Sequence, residues 1–210
     1  LEEAAEACRS FDEQTVPDDR EDLTRELMLP IDPPTAKDFD DAISITRLTG
    51  QKDGAIFELG VHIADVAHFV KPNSHLDCEA AKRGNSAYLP RRVVPMLPEV
   101  LSNGVCSLQE GVNRFCKSVF IRYNAQAKVI CERFARTVIR STKRLTYLEA
   151  QALINDDVRQ AHKHNQTKPC YNAQLIDKLK LMDELAKMVR QRRFDQGMIV
   201  LDLPEVELVF

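Results

Sequence analysis

Apolar residues change their spacing several times along the chain, and each change marks an element. Leu1, Ala4, Ala5, Cys8 and Phe11 fall near helical spacing, so residues 1–11 read as the end of a helix. Residues 12–22 are polar around Pro17 and read as a linker. Residues 27–31 are a short apolar approach, strand or turn. Residues 42–48 alternate as a strand, 50–54 supply a glycine-flanked turn, and 55–64 alternate back, which predicts a hairpin. After Pro72, Ser74 with Asp77 three residues on predicts the start of a short helix ending near Gly84. Residues 85–117 are rich in Pro, Gly and Asn and predict a long irregular region, the kind of segment that often carries function. Residues 118–123 and 128–140 predict a second hairpin. A helix is expected over 147–161 and a longer one over 172–194, where Leu175, Ile176, Leu179, Met182, Leu185, Ala186 and Val189 form one stripe and Gly197 suits the exit. Strand patterning resumes over 199–210 around Pro204. No internal repeat is visible. The fold class that follows is α+β (mixed α/β), with β-hairpins and a mixed sheet flanked by helices.

With 210 residues, the chain can bury one large core or two small ones, and 44% hydrophobic with 29% charged residues is an ordinary globular balance. The six cysteines contain no Cys-x-x-Cys pair, which argues against a zinc site and a disulfide framework and predicts reduced thiols in a cytoplasmic protein. No apolar stretch reaches the ~18 residues of a membrane-spanning helix, and no secretory leader pattern opens the chain. Net charge is −3, from 29 basic and 32 acidic residues, which is not the basic balance of a simple nucleic-acid binder. A polyanion would have to be held by local basic patches or by metal ions on acidic residues. Leu208-Val209-Phe210 reads as mid-strand, so a longer polypeptide is expected.

The acidic residues that matter are Asp32, Asp38, Asp40 and Asp41, in the run Ile-Asp-Pro-Pro-Thr-Ala-Lys-Asp-Phe-Asp-Asp-Ala between two apolar segments. Carboxylates this close repel unless water, basic side chains or a cation neutralises them. Hard oxygen ligands favour Mg²⁺, with Mn²⁺ as the alternative, and such ions also hold phosphates. The spacing is not that of a calcium-binding helix–loop–helix site. In a regular strand Asp38 and Asp40 would share a face opposite Asp41; a turn at Pro33-Pro34 would instead bring Asp32 back beside the other three. Two cations held there would activate a water and stabilise the leaving oxygen of a phosphodiester. The bland alternative is a solvated acidic turn, and composition alone leaves the two level.

The run resembles the catalytic-domain signature of the ribonuclease II/ribonuclease R family, shared with the catalytic subunit of the eukaryotic exosome. Further blocks follow in the family's order: Val61-His62-Ile63-Ala64-Asp65-Val66; Asp77, Glu79-Ala80 and Arg83; Ser86-Ala87-Tyr88-Leu89-Pro90; Pro95-Met96-Leu97-Pro98-Glu99 with Leu101-Ser102 and Cys106-Ser107-Leu108; Arg140-Ser141 with Leu145-Thr146-Tyr147; and the segment from Gly197 to Glu205. These blocks cover residues 20–210, expected as the N-terminal portion of the family's RNB catalytic domain, with 1–19 as a linker or the remnant of a preceding domain. The text is most similar to bacterial ribonuclease R-like enzymes.

The resemblance implies Mg²⁺-dependent, processive 3′-to-5′ hydrolysis of single-stranded RNA to nucleoside 5′-monophosphates by a monomeric protein. Asp32 and Asp41 resemble direct metal ligands, and Asp38 and Asp40 the other essential carboxylates that complete the metal set or orient water. Tyr88 resembles a base-stacking tyrosine, and Tyr147 one beside the last phosphodiester. The second aromatic of a base clamp is expected near residues 199–201, where this chain has Leu201. Arg140, Lys143 and Arg144 are candidates for RNA backbone contacts. Lys187, Arg190, Arg192 and Arg193 read equally as a phosphate track or as basic residues of a helix end. His62, His68 and His75 lie on separate elements and are expected to be structural. Relatives carry a later glutamate and arginine and flanking OB-fold domains that this text does not contain, so the isolated polypeptide is expected to be weakly active or inactive. The alternative in another class is a non-catalytic RNA-binding module of the same fold, which a missing aspartate would favour; all four are present.

Overall fold

The alternation that predicts two hairpins builds one central sheet. The structure, a computed structural model, describes residues 1–89, 92–201 and 203. Strands β1 (Glu21–Leu23), β3 (Asp41–Arg47), β4 (Ala55–Ala64), β7 (Asn113–Asn124) and β8 (Val129–Arg140) form a five-stranded sheet in the order β1-β8-β7-β4-β3. The hairpins β3–β4 and β7–β8 are joined edge to edge by antiparallel β4–β7 pairing, and β1 adds parallel to β8. Two short ladders stand apart: β2 (Ile31–Asp32) runs parallel to β9 (Leu145–Thr146), and β5 (Ala87–Leu89) pairs antiparallel with β6 (Arg92–Val94). The helices are α1 (Glu2–Arg9), α2 (Val66–Phe69), α3 (His75–Arg83), α4 (Tyr147–Ile154), α5 (Val158–His164) and α6 (Ala173–Asp195), with a π-helical turn over Val100–Val105. The expected α+β class with a mixed sheet flanked by helices is what forms.

Two clusters make the core. One gathers Met28, Phe39, Ala42, Phe69, Leu101, Leu108, Phe115 and Ile139, with Ala4, Cys8 and Phe11 from the N-terminal segment packed in. The other puts the α6 stripe, Leu175, Leu179, Met182 and Leu185, against Leu29, Ile45, Phe57, Leu145 and Leu153. Caps follow their local chemistry. Ser74 Oγ accepts from the Asp77 amide and Gly84 ends α3 in the left-handed region at φ 73°; Asn172 caps α6 by accepting from the Leu175 amide.

Four expectations are corrected. Residues 12–22 are not merely a linker: Glu21–Leu23 is an edge strand, and Arg20 is buried in a 2.6 Å ion pair with Asp65 while its guanidinium lies 4.1 Å from the Phe115 ring centroid. The chemistry that neutralises Asp65 is long-range, so local polarity could not reveal it. Residues 85–117 are less irregular than expected, since they contain β5, β6 and the start of β7 at Asn113. The helix over 147–161 is two helices, because Asp156 turns left-handed at φ 61° and Asp157 caps α5 by accepting from the Gln160 amide. Of the strand expected over 199–210, residues 199–201 and 203 are not in a strand, and the others lie outside the described residues.

A polar belt crosses the sheet inside this apolar frame. His62 is fully buried, with Nδ1 2.7 Å from Ser118 Oγ and Nε2 2.9 Å from Ser44 Oγ; Ser118 Oγ is 2.7 Å from Thr137 Oγ1. Burial pushes its imidazole pKa down to about 4, so it is neutral near pH 7. His62 therefore ties four strands together. Gly60 makes room for this belt: a Cβ there would stand 2.4 Å from Ser44 Oγ and 2.7 Å from His62 Nε2. Gly60→Ala is expected to destabilise the protein by about 1–3 kcal/mol, since neither short side chain can retreat without losing its hydrogen bond. Chemical denaturation measures this, and an unchanged midpoint would refute it.

Candidate metal centre

The acidic run does not continue as a strand. Leu29 and Ile43 exchange two backbone hydrogen bonds, 3.0 and 3.1 Å, and so close the neck of a loop over residues 30–42. At Pro33 the loop turns, with the Ala36 amide donating to the Pro33 carbonyl at 3.1 Å. Asp32 ends β2 on one limb and Asp41 opens β3 on the other. Oxygens of Asp32, Asp40 and Asp41 lie within 4.8 Å of one another. The turn reading of Pro33-Pro34 therefore holds for these three. Asp38 lies outside the trio, on the exposed outer part of the loop, though its charge still raises the pKa of Asp32.

The segment carrying Asp38, Asp40 and Asp41 is pinned through its backbone. The Phe39 amide donates to Ser107 Oγ at 3.1 Å, the Phe39 carbonyl accepts from the Leu108 amide at 2.7 Å, and the Asp40 carbonyl accepts from the Ala64 amide at 2.9 Å. Phe39 itself is buried in the core. On the other limb, Asp32 pairs in register with Thr146, the N-cap of α4, where Thr146 and Glu149 form a reciprocal capping box. Glu149 is fully buried and also accepts from the Tyr171 hydroxyl at 2.5 Å. Tyr147 follows Thr146, the register partner of Asp32, and its side chain is exposed.

The electrostatics of the trio are those of a site without its counter-charge. Burial, then the charges of Asp41 and Asp40, push the Asp32 pKa up to about 6; Arg144 opposes the rise. Asp41 is raised by burial and by Asp40. Asp32 Oδ2 is buried and has no hydrogen-bond partner. Three grouped carboxylates, one of which carries a buried oxygen without a partner, are a donor set that fits a hard cation with oxygen ligands.

The remaining predicted residues are placed as follows. Arg140 ends β8 and is exposed. Lys143 is unavailable to RNA: it is buried between Glu110 and Thr167. Arg144 is half-buried and turned onto the acidic loop, its guanidinium 4.1 Å from the Phe39 ring centroid. Tyr88 stands exposed on the β5–β6 hairpin. Leu201 is exposed. On α6, Lys187 pairs with Asp183, Arg190 lies over Phe194, and Arg192 donates to the Ala127 carbonyl. Sequence reasoning missed Glu110, which accepts from the Lys143 ammonium, the Arg144 amide and the Thr167 hydroxyl; no local pattern marks it. Glu149 did carry a signal, the Thr-x-x-Glu spacing of a capping box.

The raised Asp32 pKa has a thermodynamic sign. The metal-free fold holds a proton on Asp32 between its ordinary value of 3.8 and about 6, so it loses stability as pH rises through that window. Asp32→Asn removes this cost. In EDTA, the variant's melting temperature relative to the parent is expected to rise from about pH 4 to about pH 7.5; a difference that stays flat or shrinks would falsify the assignment.

Comparison with known proteins agrees with this geometry. The family model for the RNB domain matches residues 20–210. Exosome complex exonuclease RRP44 homolog A of Arabidopsis thaliana is 42% identical over 188 residues, covering 90% of this chain and 18% of that protein. Ribonuclease R 1 of Lactococcus lactis subsp. lactis is 38% identical over 190 residues, covering 90% of this chain and 22% of that protein. The chain thus spans about a fifth of the length of these curated relatives. Among solved structures, Mycoplasma genitalium RNase R in complex with ribose-methylated single-stranded RNA superposes with a TM-score of 0.83 at 32% identity, covering 98% of this chain and 30% of that one. With the family model matched over residues 20–210, nearly its whole length, this chain belongs to the RNB domain family.

Proposed function

We propose that this chain carries the metal-binding carboxylates of a 3′-to-5′ exoribonuclease that hydrolyses single-stranded RNA processively to nucleoside 5′-monophosphates. The observation that carries the reading is the convergence of Asp32, Asp40 and Asp41 around an orphaned, buried carboxylate oxygen in an RNB domain. Bound Mg²⁺ supplies an activated water and charge stabilisation at the scissile phosphate, and Mn²⁺ offers the same chemistry. Asp32 and Asp41 hold the ion from the two limbs of the loop. Asp40 completes the set and orients the attacking water, and Asp38 adds negative field from the outer loop.

RNA is engaged by exposed side chains around this centre. Tyr147, exposed one residue past the register partner of Asp32, is the tyrosine assigned to the last phosphodiester. Tyr88 offers an aromatic face on which bases stack for about 1–3 kcal/mol each, with little sequence preference. Arg140 reaches the RNA backbone from the end of β8. The complexes of the Mycoplasma genitalium relative, one with single-stranded and one with double-stranded RNA, support RNA as the substrate. Six unpaired cysteines suit a reducing, cytoplasmic setting.

Asp40→Asn is the direct test, because it removes a charge and keeps the shape. In protein that degrades a 5′-labelled single-stranded oligoribonucleotide, the substitution is expected to lower the rate by roughly 10²–10³-fold, the equivalent of several kcal/mol of charge stabilisation. Affinity for the same RNA is expected to stay within a few-fold. A near-parental rate would rule out the role given to Asp40.

A further inference from the structure

We infer that Arg144 is a positioning residue that fixes the carboxylate-bearing loop by stacking on Phe39 and binding the Ala36 carbonyl, rather than a group that contacts RNA; this deepens, and rests on, the reading of the trio as a metal site. The backbone pins on Phe39 and Asp40 come from Ser107, Leu108 and Ala64. Arg144 supplies a hold from another part of the chain. Its guanidinium carbon lies 4.1 Å from the Phe39 ring centroid, and Nη2 donates to the Ala36 carbonyl at 3.4 Å. Phe39 sits between Asp38 and Asp40, so restraining its ring restrains both neighbours.

Arg144 is itself anchored. Its backbone amide donates to Glu110 Oε2 at 3.0 Å, and the same carboxylate accepts from Thr167 Oγ1 at 2.7 Å and Lys143 Nζ at 3.3 Å. A continuous path thus runs from the loop before α6 through Glu110 and Arg144 to the acidic segment. Among the described residues Arg144 makes no ion pair within 4.0 Å. Its contacts are with a ring face and a carbonyl, and the ring contact is the one that a flat guanidinium makes and an ammonium does not match. A lysine keeps the charge but cannot reproduce that geometry, so Arg144→Lys separates position from charge.

Two measurements test this in the protein with Arg144→Lys and Arg144→Met. Amide hydrogen exchange of Phe39, Ala64 and Leu108 is expected to speed up in both variants, with the thermal midpoint within a few degrees of the parent. Binding of Mn²⁺ alone, followed by loss of its free-ion electron paramagnetic resonance signal, is expected to weaken roughly tenfold in both. A group acting through charge alone gives another pattern: Arg144→Lys binds Mn²⁺ like the parent, and Arg144→Met, relieved of a repelling cation, binds it more tightly. That pattern, or unchanged exchange in Arg144→Lys, overturns the inference. Failure of the parent itself to bind Mn²⁺ would defeat the metal reading instead, and the exchange rates alone would then decide the role of Arg144.

Discussion

Mutual repulsion among Asp32, Asp40 and Asp41 is the constraint to which the surrounding structure answers. Three carboxylates within 4.8 Å of one another, one carrying a buried oxygen without a partner, do not gather spontaneously. They are held by elements that gain their stability elsewhere. The Leu29–Ile43 bridge closes the loop at its neck, and the burial of Leu29, Ala42, Ile45 and Phe39 secures both limbs. Apolar burial of this kind contributes about 1.5–3 kcal/mol per large side chain, enough in sum to outweigh the crowding of charge.

The same economy appears around the trio. Asp32 and Tyr147 are far apart in sequence, yet the parallel β2–β9 ladder makes Thr146 both the register partner of Asp32 and the cap of the helix that Tyr147 opens. Several buried charges elsewhere are paired: Arg20 with Asp65, Arg114 with Glu13, and Lys143 with Glu110. Such pairs add little net stability, but breaking one strands the other charge, so they fix how segments meet. His62 achieves a similar end without charge, as a neutral ring bonded to Ser44 and Ser118 across the sheet.

Much of this was legible in the residues. The two hairpins, α3 with its Ser74 cap and Gly84 exit, and the α6 stripe depend on near neighbours, and local chemistry placed them. The elements that were misread depend on distant partners. Residues 21–23 become a strand because β8 offers an edge, and Arg20 belongs to the interior because Asp65 and Phe115 await it there. The break at Asp156 is local, but apolar residues on both sides of it, Leu153 and Ile154 before and Val158 and Ala161 after, let 147–161 read as one helix. Among the candidate site residues, the exposed tyrosines stand where a ligand can reach them, whereas Lys143, chosen for its charge, is spent inside the fold.

By itself the sequence determined which residue types were brought to the site and the family to which the chain belongs. Four aspartates flanked by core strands, in a text collinear with a nuclease family, admit few other readings. Tertiary structure decided which of the four converge and what holds them. Asp38 stands apart because the loop leaves the strand pattern before β3, and Arg144 faces Phe39 because Glu110 holds its backbone. Spacing along a chain fixes which side chains share a face only within one regular element. Across a loop whose neck is closed by Leu29 and Ile43, distances are set by the elements that close it, and those are settled only when the core packs.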